Sequence, residues 1–446
     1  MGVKHRKGFG SMEVVADEDR LVSRAGTALV GELGRRLGLQ VGLSGALSGL
    51  HRRAPSHPPG EILCDLATML IDGGDCLLDL GALSEQPALF GEVASHSTVA
   101  RLVHALGPKE RETLDLARAE VRERAWEAGA RPGEVVLDFD SHLLEAHSEK
   151  EGAAPHRKGG FGFHPLMCWL DGSGEALASL LRPGNAGANT AADHLTVLDR
   201  ALSQLPEAER AGFAVLARSD SAGASHDFAR ALRARELRFS LGYPVTETVG
   251  QAALSLPKRR WKPALDSGGK PREGAWVAEL TDRVELSGWP EGTRLICRRE
   301  RPHPGAQLRF TDTDGHRYQC FITDQKGRSL ARLELRHRLH ARVEDRIGEA
   351  RELGLSKLPF HDFQANETWL WLIGLAQDML AWLRTLALEG ELALAKPKRL
   401  RHRLLHLAGR LTRSGRRQTL HLPRAWPWAG ELIAALTRVR VLTAPG

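Results

Sequence analysis

What most limits the fold of this 446-residue chain is the order of hydropathy patterns between residues 134 and 235. In the run Glu134 to Asp140, Val136, Asp138 and Asp140 face one way and Val135, Leu137 and Phe139 the other, as on a strand. Phe163 to Leu170 and Glu175 to Leu181 are two further strand candidates, joined by the turn Asp171-Gly172-Ser173-Gly174. A helical pattern covers Asn189 to Leu205 and stops at Pro206. Phe213 to Ser219 is a fourth strand, ending at Asp220 and a small-residue turn, and His226 to Arg235 is the helix after it.

Three strands, a helix, a strand and a helix predict an α/β protein with a ribonuclease-H-like core: a mixed sheet, its first strands antiparallel, with helices against it. Around it the chain divides by composition. Residues 1–130 read as a helical N-terminal, DNA-binding domain, 131–238 as the first part of the core, and 239–330 as a separate β-rich insertion. Residues 331–390 return to helix as the second part of the core, and 391–446 form a helical, basic C-terminal region. In the N-terminal part, Ser95 to Val103 has a helix start behind Gly91; a helix-turn-helix and an ordinary capped helix both fit. Trp369 to Leu383 is apolar but broken by Gln377 and Asp378, so it reads as a buried helix and not a membrane span. Met1 to Asp19 has no apolar leader core, so no signal peptide and a cytoplasmic location are expected.

A net charge of +7 is compatible with a polyanionic partner. Lys396 to Arg424 holds ten Lys or Arg residues and no acid, the pattern of a solvated helix or of a surface that tracks phosphates. Five scattered cysteines lack zinc-ligand spacing, and so do His142, His147, His156 and His164. No GxxxxGK[ST] occurs, which excludes a P-loop nucleotide machine, and Gly159 to Gly162 lacks the setting of a dinucleotide site.

Breaking a phosphodiester requires an activated oxygen nucleophile and a stabilised leaving oxygen. Two divalent ions about 3.5–4 Å apart, held by carboxylates on rigid elements, provide both. Asp140 and Asp220 each end a strand, where the order of elements makes the two strand ends candidates for neighbours. A turn or cap role is the competing reading of each. In the helical pattern His337 to Leu353, the residues His337, His340, Glu344 and Arg351 fall within a sector of about 60°, beside an apolar stripe of Leu335, Leu339, Val343 and Ile347. That face carries a carboxylate flanked by groups able to contact phosphate; a salt-bridged surface stripe is the alternative.

These residues resemble the DDE transposases of bacterial insertion sequences, and within them the branch with a β-rich insertion and a Tyr-x2-Arg-x3-Glu-x6-Lys signature. The likeness runs through most of the chain. It rests on Asp138-Phe139-Asp140-Ser141, Glu149 to Ala154, Lys158 to Leu166, Leu181 to Asn185, Arg218-Ser219-Asp220-Ser221 and Phe363-Gln364-Ala365-Asn366. The resemblance implies that Asp140, Asp220 and Glu344 form the catalytic triad and hold two Mg²⁺ ions, with Mn²⁺ as a substitute. Asp138 is the alternative first aspartate. The signature's Tyr, Arg and Lys fall here on His337, His340 and Arg351, and the family's tyrosine in the Gly-rich stretch is Phe163. Expected DNA contacts are His337, His340, Arg351 and Lys158, with Arg399, Arg401 and Arg403 in the basic tail. The resemblance also implies binding of terminal inverted repeats and target DNA, strand cleavage and transfer, and a homodimer on DNA. Trp261, Trp276 and Trp289 are either a stacking platform for a flipped base or core residues of the insertion. The altered signature leaves a catalytically silent DNA-binding copy as one alternative, and a metal-dependent nuclease on the same fold as another.

Overall fold

The computed structural model describes residues 15–50, 55–207, 215–302, 305, 307, 312–327 and 329–442. Most of the N-terminal stretch read for leader signals, and Phe213-Ala214 at the start of the fourth strand candidate, lie outside the described residues.

The central sheet begins with β1 (Val136–Ser141), β2 (Leu166–Leu170) and β3 (Ala176–Leu180). Helix α1 (Ala191–Ser203) leads to β4 (Leu216–Ser219), and α2 (His226–Ala234) leads to β5 (Arg238–Tyr243). β1 pairs antiparallel with β2 and parallel with β4, and β4 runs parallel to β5. The resulting order β3-β2-β1-β4-β5 has the strand sequence and directions of the ribonuclease-H-like fold. Each crossover is fixed locally: Ser225 caps α2 by accepting from the Phe228 N–H at 3.2 Å, and α1 lies against β2 and β3.

The insertion is β-rich as expected, but it is not a separate unit. Its strands β6 (Lys262–Leu265), β7 (Pro271–Glu279), β8 (Arg294–Glu300) and β9 (His316–Thr323) continue the same sheet. β9 pairs antiparallel with β5, giving ten strands with the short Asp312–Thr313 included. An unpaired edge at β5 would leave a row of backbone donors and acceptors open, and β9 closes it.

Helices α3 (Leu330–Arg338) and α4 (Val343–Ala350) follow, separated by a 3₁₀ turn at Leu339–Arg342. The 24-residue α5 (Phe363–Leu386) starts at Asp362, whose side chain accepts from the Ala365 N–H at 2.6 Å. It is buried on most sides, with Trp369 and Trp382 at its centre. The two polar residues that interrupt its apolar middle are paired: Gln377 accepts from the Trp169 indole at 3.1 Å, and Asp378 binds Arg118 at 2.7 Å and also Arg122. No helix among the described residues is long and apolar enough to cross a membrane. The N-terminal helices, among them Pro59–Asp72 and Pro108–Ala125, share one hydrophobic core with α5 and the sheet.

The C-terminal region is helical only in part. Pro397–Leu400 and Ala429–Val441 are helices, but β10 (Gly409–Ser414) and β11 (Arg417–His421) form a hairpin that pairs with the short strand Leu21–Val22. β-branched Thr412 and Thr419 face each other across it, and Gly415, with φ 59°, supplies the turn.

Candidate active site

The register of β1 on β4 sets Phe139 opposite Ser219, so Asp140 and Asp220 leave the same end of two adjacent parallel strands. Asp140 is half-buried and accepts from the Ser141 N–H at 2.7 Å. Asp220 is exposed, and its Oδ1 accepts from the N–H groups of Ala222 at 2.9 Å and Gly223 at 3.1 Å. Asp220 thus fills the turn role, and its Oδ2 takes no hydrogen bond among the described residues. Its height is set from below by Gly242 on β5, where an added Cβ would lie 2.3 Å from the Ser221 backbone nitrogen. Gly242→Ala is thus expected to lift the Asp220–Ser221 segment, lowering metal-dependent DNA cleavage on the order of 10²-fold while circular dichroism stays native. Unchanged cleavage would show that this close approach does not set the position of Asp220.

Glu344 stands exposed in the first turn of α4. The helix is pinned from three sides: the Arg346 carbonyl accepts from Gln377 Nε2 at 3.0 Å, Glu349 pairs with Arg384 at 2.7 Å, and Asp345 with Lys396 at 2.7 Å. Burial pushes the Asp140 carboxyl up to about 6, opposed by the positive field of His340 and the Ser141 N–H and reinforced by the negative charges of Asp220 and Glu344. Asp220 and Glu344 thus both act electrostatically on Asp140. Such a group of oxygen donors, with lone pairs unclaimed and mutual repulsion to relieve, fits hard divalent cations. They are more widely spaced than the one trio of possible ligands within 4.8 Å among the described residues, Asp75, Cys76 and Asp79. In that trio Asp79 accepts from the Asp75 and Cys76 N–H groups at 2.8 and 3.1 Å, and Lys357 pairs with Asp75 at 2.9 Å, which is how a helix start is capped.

The sign of the Asp140 shift gives a stability prediction. Unfolded, the carboxyl loses its proton near 3.8; folded, near 6. The folded chain therefore binds the extra proton between these values, and stability falls as pH rises through that window. Above it the full penalty remains, about 1–2 kcal/mol after allowance for solvent screening. Asp140→Asn is expected to melt higher than the parent at pH 7.5 in EDTA, with the gap closing towards pH 4 in thermal unfolding. A variant that melts lower at pH 7.5 would contradict this.

Asp138, the alternative first aspartate, has a different place. It is buried and held by a two-pronged pair with Arg218, both contacts at 2.6 Å, while His340 Nδ1 lies 2.9 Å from its Oδ1. These neighbours hold its carboxyl below the ordinary range despite burial. Arg218 is fully buried, also reaches Asp171 at 3.0 Å, and donates to the Arg336 carbonyl of α3. Arg342 reaches the same Asp171 at 3.2 Å. This cluster, which the sequence reading missed, ties β1, β4 and the turn after β2 to the segment leading into Glu344. The available signal was an arginine inside an apolar strand, since a buried guanidinium requires partners.

The remaining expected contacts divide. Arg351 and Lys158 are exposed; burial, and after it their positive charge, holds the His142 ring below its usual range, and His142 follows Asp140 by two residues. His337 and His340 both have partners within the protein. His337 stacks on Phe321 with centroids 4.3 Å apart and planes 6° apart, and its Nδ1 lies 3.0 Å from the Ser240 hydroxyl. Burial and nearby cations push its ring well below the usual range. His340 is occupied by Asp138. In the tail, Arg399 is exposed, but Arg401 donates to the carbonyls of Ile71 at 2.6 Å, Leu70 at 3.0 Å and Glu352 at 2.8 Å. Arg403 pairs with Glu391 at 2.6 Å and lies over Trp428 at 4.6 Å. These two bind the fold to itself.

Of the three tryptophans, Trp261 is buried under Arg299, whose guanidinium sits 4.3 Å from the ring centroid. Trp276 is half-buried beside Arg299 and Arg301, and half-buried Trp289 meets His226 edge-on at 4.3 Å. Next to Asp220 opens a cavity of about 610 Å³ walled by Tyr243, Tyr318, Phe321 and His337.

Among solved structures, the cryo-EM structure of the piggyBac transposase synaptic complex with hairpin DNA is 11% identical, with a TM-score of 0.43, covering 86% of this chain and 80% of that one. No curated protein matches. The family model described as "Transposase DDE domain group 1" matches residues 5–444, nearly the whole length, and the chain belongs to that family.

Proposed function

We propose that the protein is a DNA transposase that cuts DNA at the terminal inverted repeats of its own element and joins the freed 3′-hydroxyls to target DNA. The observation that carries this reading is the placement of Asp140 and Asp220 on neighbouring strand ends, with the charge of Glu344 acting on Asp140. These three residues would hold two divalent ions, Mg²⁺ or Mn²⁺. When bound, the ions supply an activated oxygen nucleophile and stabilise the leaving oxygen.

The chain's own part is positional and electrostatic. Three clustered carboxylates repel a phosphodiester, so binding needs compensating cations. Arg351 and Lys158 stand exposed near His142 and would draw the phosphate in and orient it. The Asp138–Arg218 cluster would hold the segment before Glu344 in register with the strand ends. A homodimer would clasp two DNA ends, acting on the bacterial chromosome in the cytoplasm.

The test is cleavage of labelled DNA carrying the element's end, with Mg²⁺, with Mn²⁺ and with EDTA. Cutting at the end in either metal, absent in EDTA and accompanied by joined products, is expected. Specific binding without cutting in either metal would replace this reading with a silent DNA-binding protein. Cutting without end preference or joining would replace it with a nuclease.

A further inference from the structure

We propose that the hairpin β10–β11 is a second DNA contact, a basic β-ribbon that lies along the phosphate backbone of a duplex. It belongs to a three-stranded sheet distinct from the one that carries the carboxylates. The inference rests on the reading above only in taking DNA as the substrate.

Three observations carry it. The first is the sorting of side chains by the register, which pairs Arg410 with His421, Leu411 with Leu420, Thr412 with Thr419, Arg413 with Gln418 and Ser414 with Arg417. Strand alternation then puts Arg410, Thr412, Ser414, Arg417, Thr419 and His421 on one face, all hydroxyl, imidazole or guanidinium. The opposite face has the half-buried pair Leu411 and Leu420 near the base and the exposed pair Arg413 and Gln418 near the tip, so Arg413 flanks the ribbon's tip beside Arg416 and Arg417 instead of standing on the polar face. The second is anchoring. The Leu411 N–H donates to the Arg20 carbonyl at 2.8 Å, Leu21–Val22 pairs along the outer edge, and Thr412 Oγ1 lies 2.8 Å from His421 Nε2. The ribbon is thus held at its base, and little ordering remains to be done on binding.

The third is charge. No acidic residue occurs from 392 to 430. Arg413, Arg416 and Arg417 are exposed and form no ion pair among the described residues, unlike Arg403, which is paired with Glu391. Arg413 Nε donates only to the Gly415 carbonyl at 3.1 Å, at the tip of the ribbon. Arg410 lies near Glu18, whose carboxyl it helps hold down, and so contributes less. A protein partner would call for apolar anchors at the centre of the interface, and the exposed face has none. Donors without apolar anchors suit a row of phosphates, and a two-stranded ribbon is a shape that DNA grooves admit.

The experiment compares the full chain with the Arg413→Ala/Arg416→Ala/Arg417→Ala protein, by fluorescence anisotropy on a duplex of arbitrary sequence across a salt series. Losing three phosphate contacts should lower the slope of log affinity against log salt by about 2–3 and weaken low-salt binding on the order of 10-fold or more. The corresponding triple lysine protein should keep the slope, and melting should be unchanged for all three. A triple alanine protein with parental slope and affinity would overturn the ribbon while leaving the carboxylate site standing. Cleavage by a Glu344→Ala protein, measured in parallel, would overturn the carboxylate site and leave the ribbon standing. Weakened binding to polyglutamate with parental binding to the duplex would also overturn the proposal.

Discussion

Glu344→Ala is expected to lower metal-dependent cleavage of end DNA on the order of 10³-fold or more, with binding and melting temperature close to those of the parent. The size follows from removing a group that holds charge against the reacting centre in the transition state. The lack of a stability effect follows from exposure: Glu344 forms no side-chain hydrogen bond or ion pair among the described residues and sits in the first turn of a helix pinned elsewhere. The other two carboxylates should share the loss of activity but differ in stability. Asp220→Ala forfeits two turn hydrogen bonds and should cost about 1 kcal/mol, whereas Asp220→Asn keeps an acceptor there. Asp140→Asn removes a strained charge and should stabilise. One activity phenotype with three stability phenotypes separates a shared chemical role from general damage, by gel assay and thermal unfolding on the same preparations. Near-parental cleavage by any of the three would remove that residue from the site.

Arg218→Met should destabilise the protein by about 3–5 kcal/mol, because it leaves Asp138 and Asp171 without the guanidinium between them. Asp138 is nearly inaccessible and would keep only His340. Adding Asp138→Leu should return much of the loss, since an apolar pair carries no stranded charge. Denaturant unfolding followed by tryptophan fluorescence measures both. A single-variant loss below about 1 kcal/mol would mean that the cluster does not tie the strands to α3. Cleavage should fall as well, even where the variant remains folded, because Arg218 holds the Arg336 carbonyl just ahead of Glu344.

The core was legible where the code is local. Alternation in Glu134 to Asp140, the turn at Asp171 to Gly174 and the break at Pro206 sufficed for the strand order, and the two aspartates at strand ends followed from it. The single helical face read from His337 to Arg351 is interrupted for a definable reason. The 60° sector assumes 100° per residue from His337 to Arg351, but the 3₁₀ turn Leu339–Arg342 and the irregular turn from Arg351 break that count. His337 consequently turns towards Phe321, and His340 goes under the strand end to Asp138. The merging of the insertion with the core sheet depends on β5 meeting β9 across some eighty residues, which local pattern does not encode. The hairpin at 409–421 did carry signals, Ser414-Gly415 and the alternating threonines, which the run of arginines obscured.

The central claim, that Asp140, Asp220 and Glu344 hold metal, is most directly tested by iron-directed self-cleavage. Fe²⁺ replaces Mg²⁺, ascorbate and peroxide generate radicals at the bound ion, and mass spectrometry maps where the polypeptide breaks. Breaks near residues 140, 220 and 344, suppressed together by excess Mg²⁺ and by Glu344→Ala, are the expected result. Breaks confined to Asp75–Asp79, or none that Mg²⁺ suppresses, would contradict it.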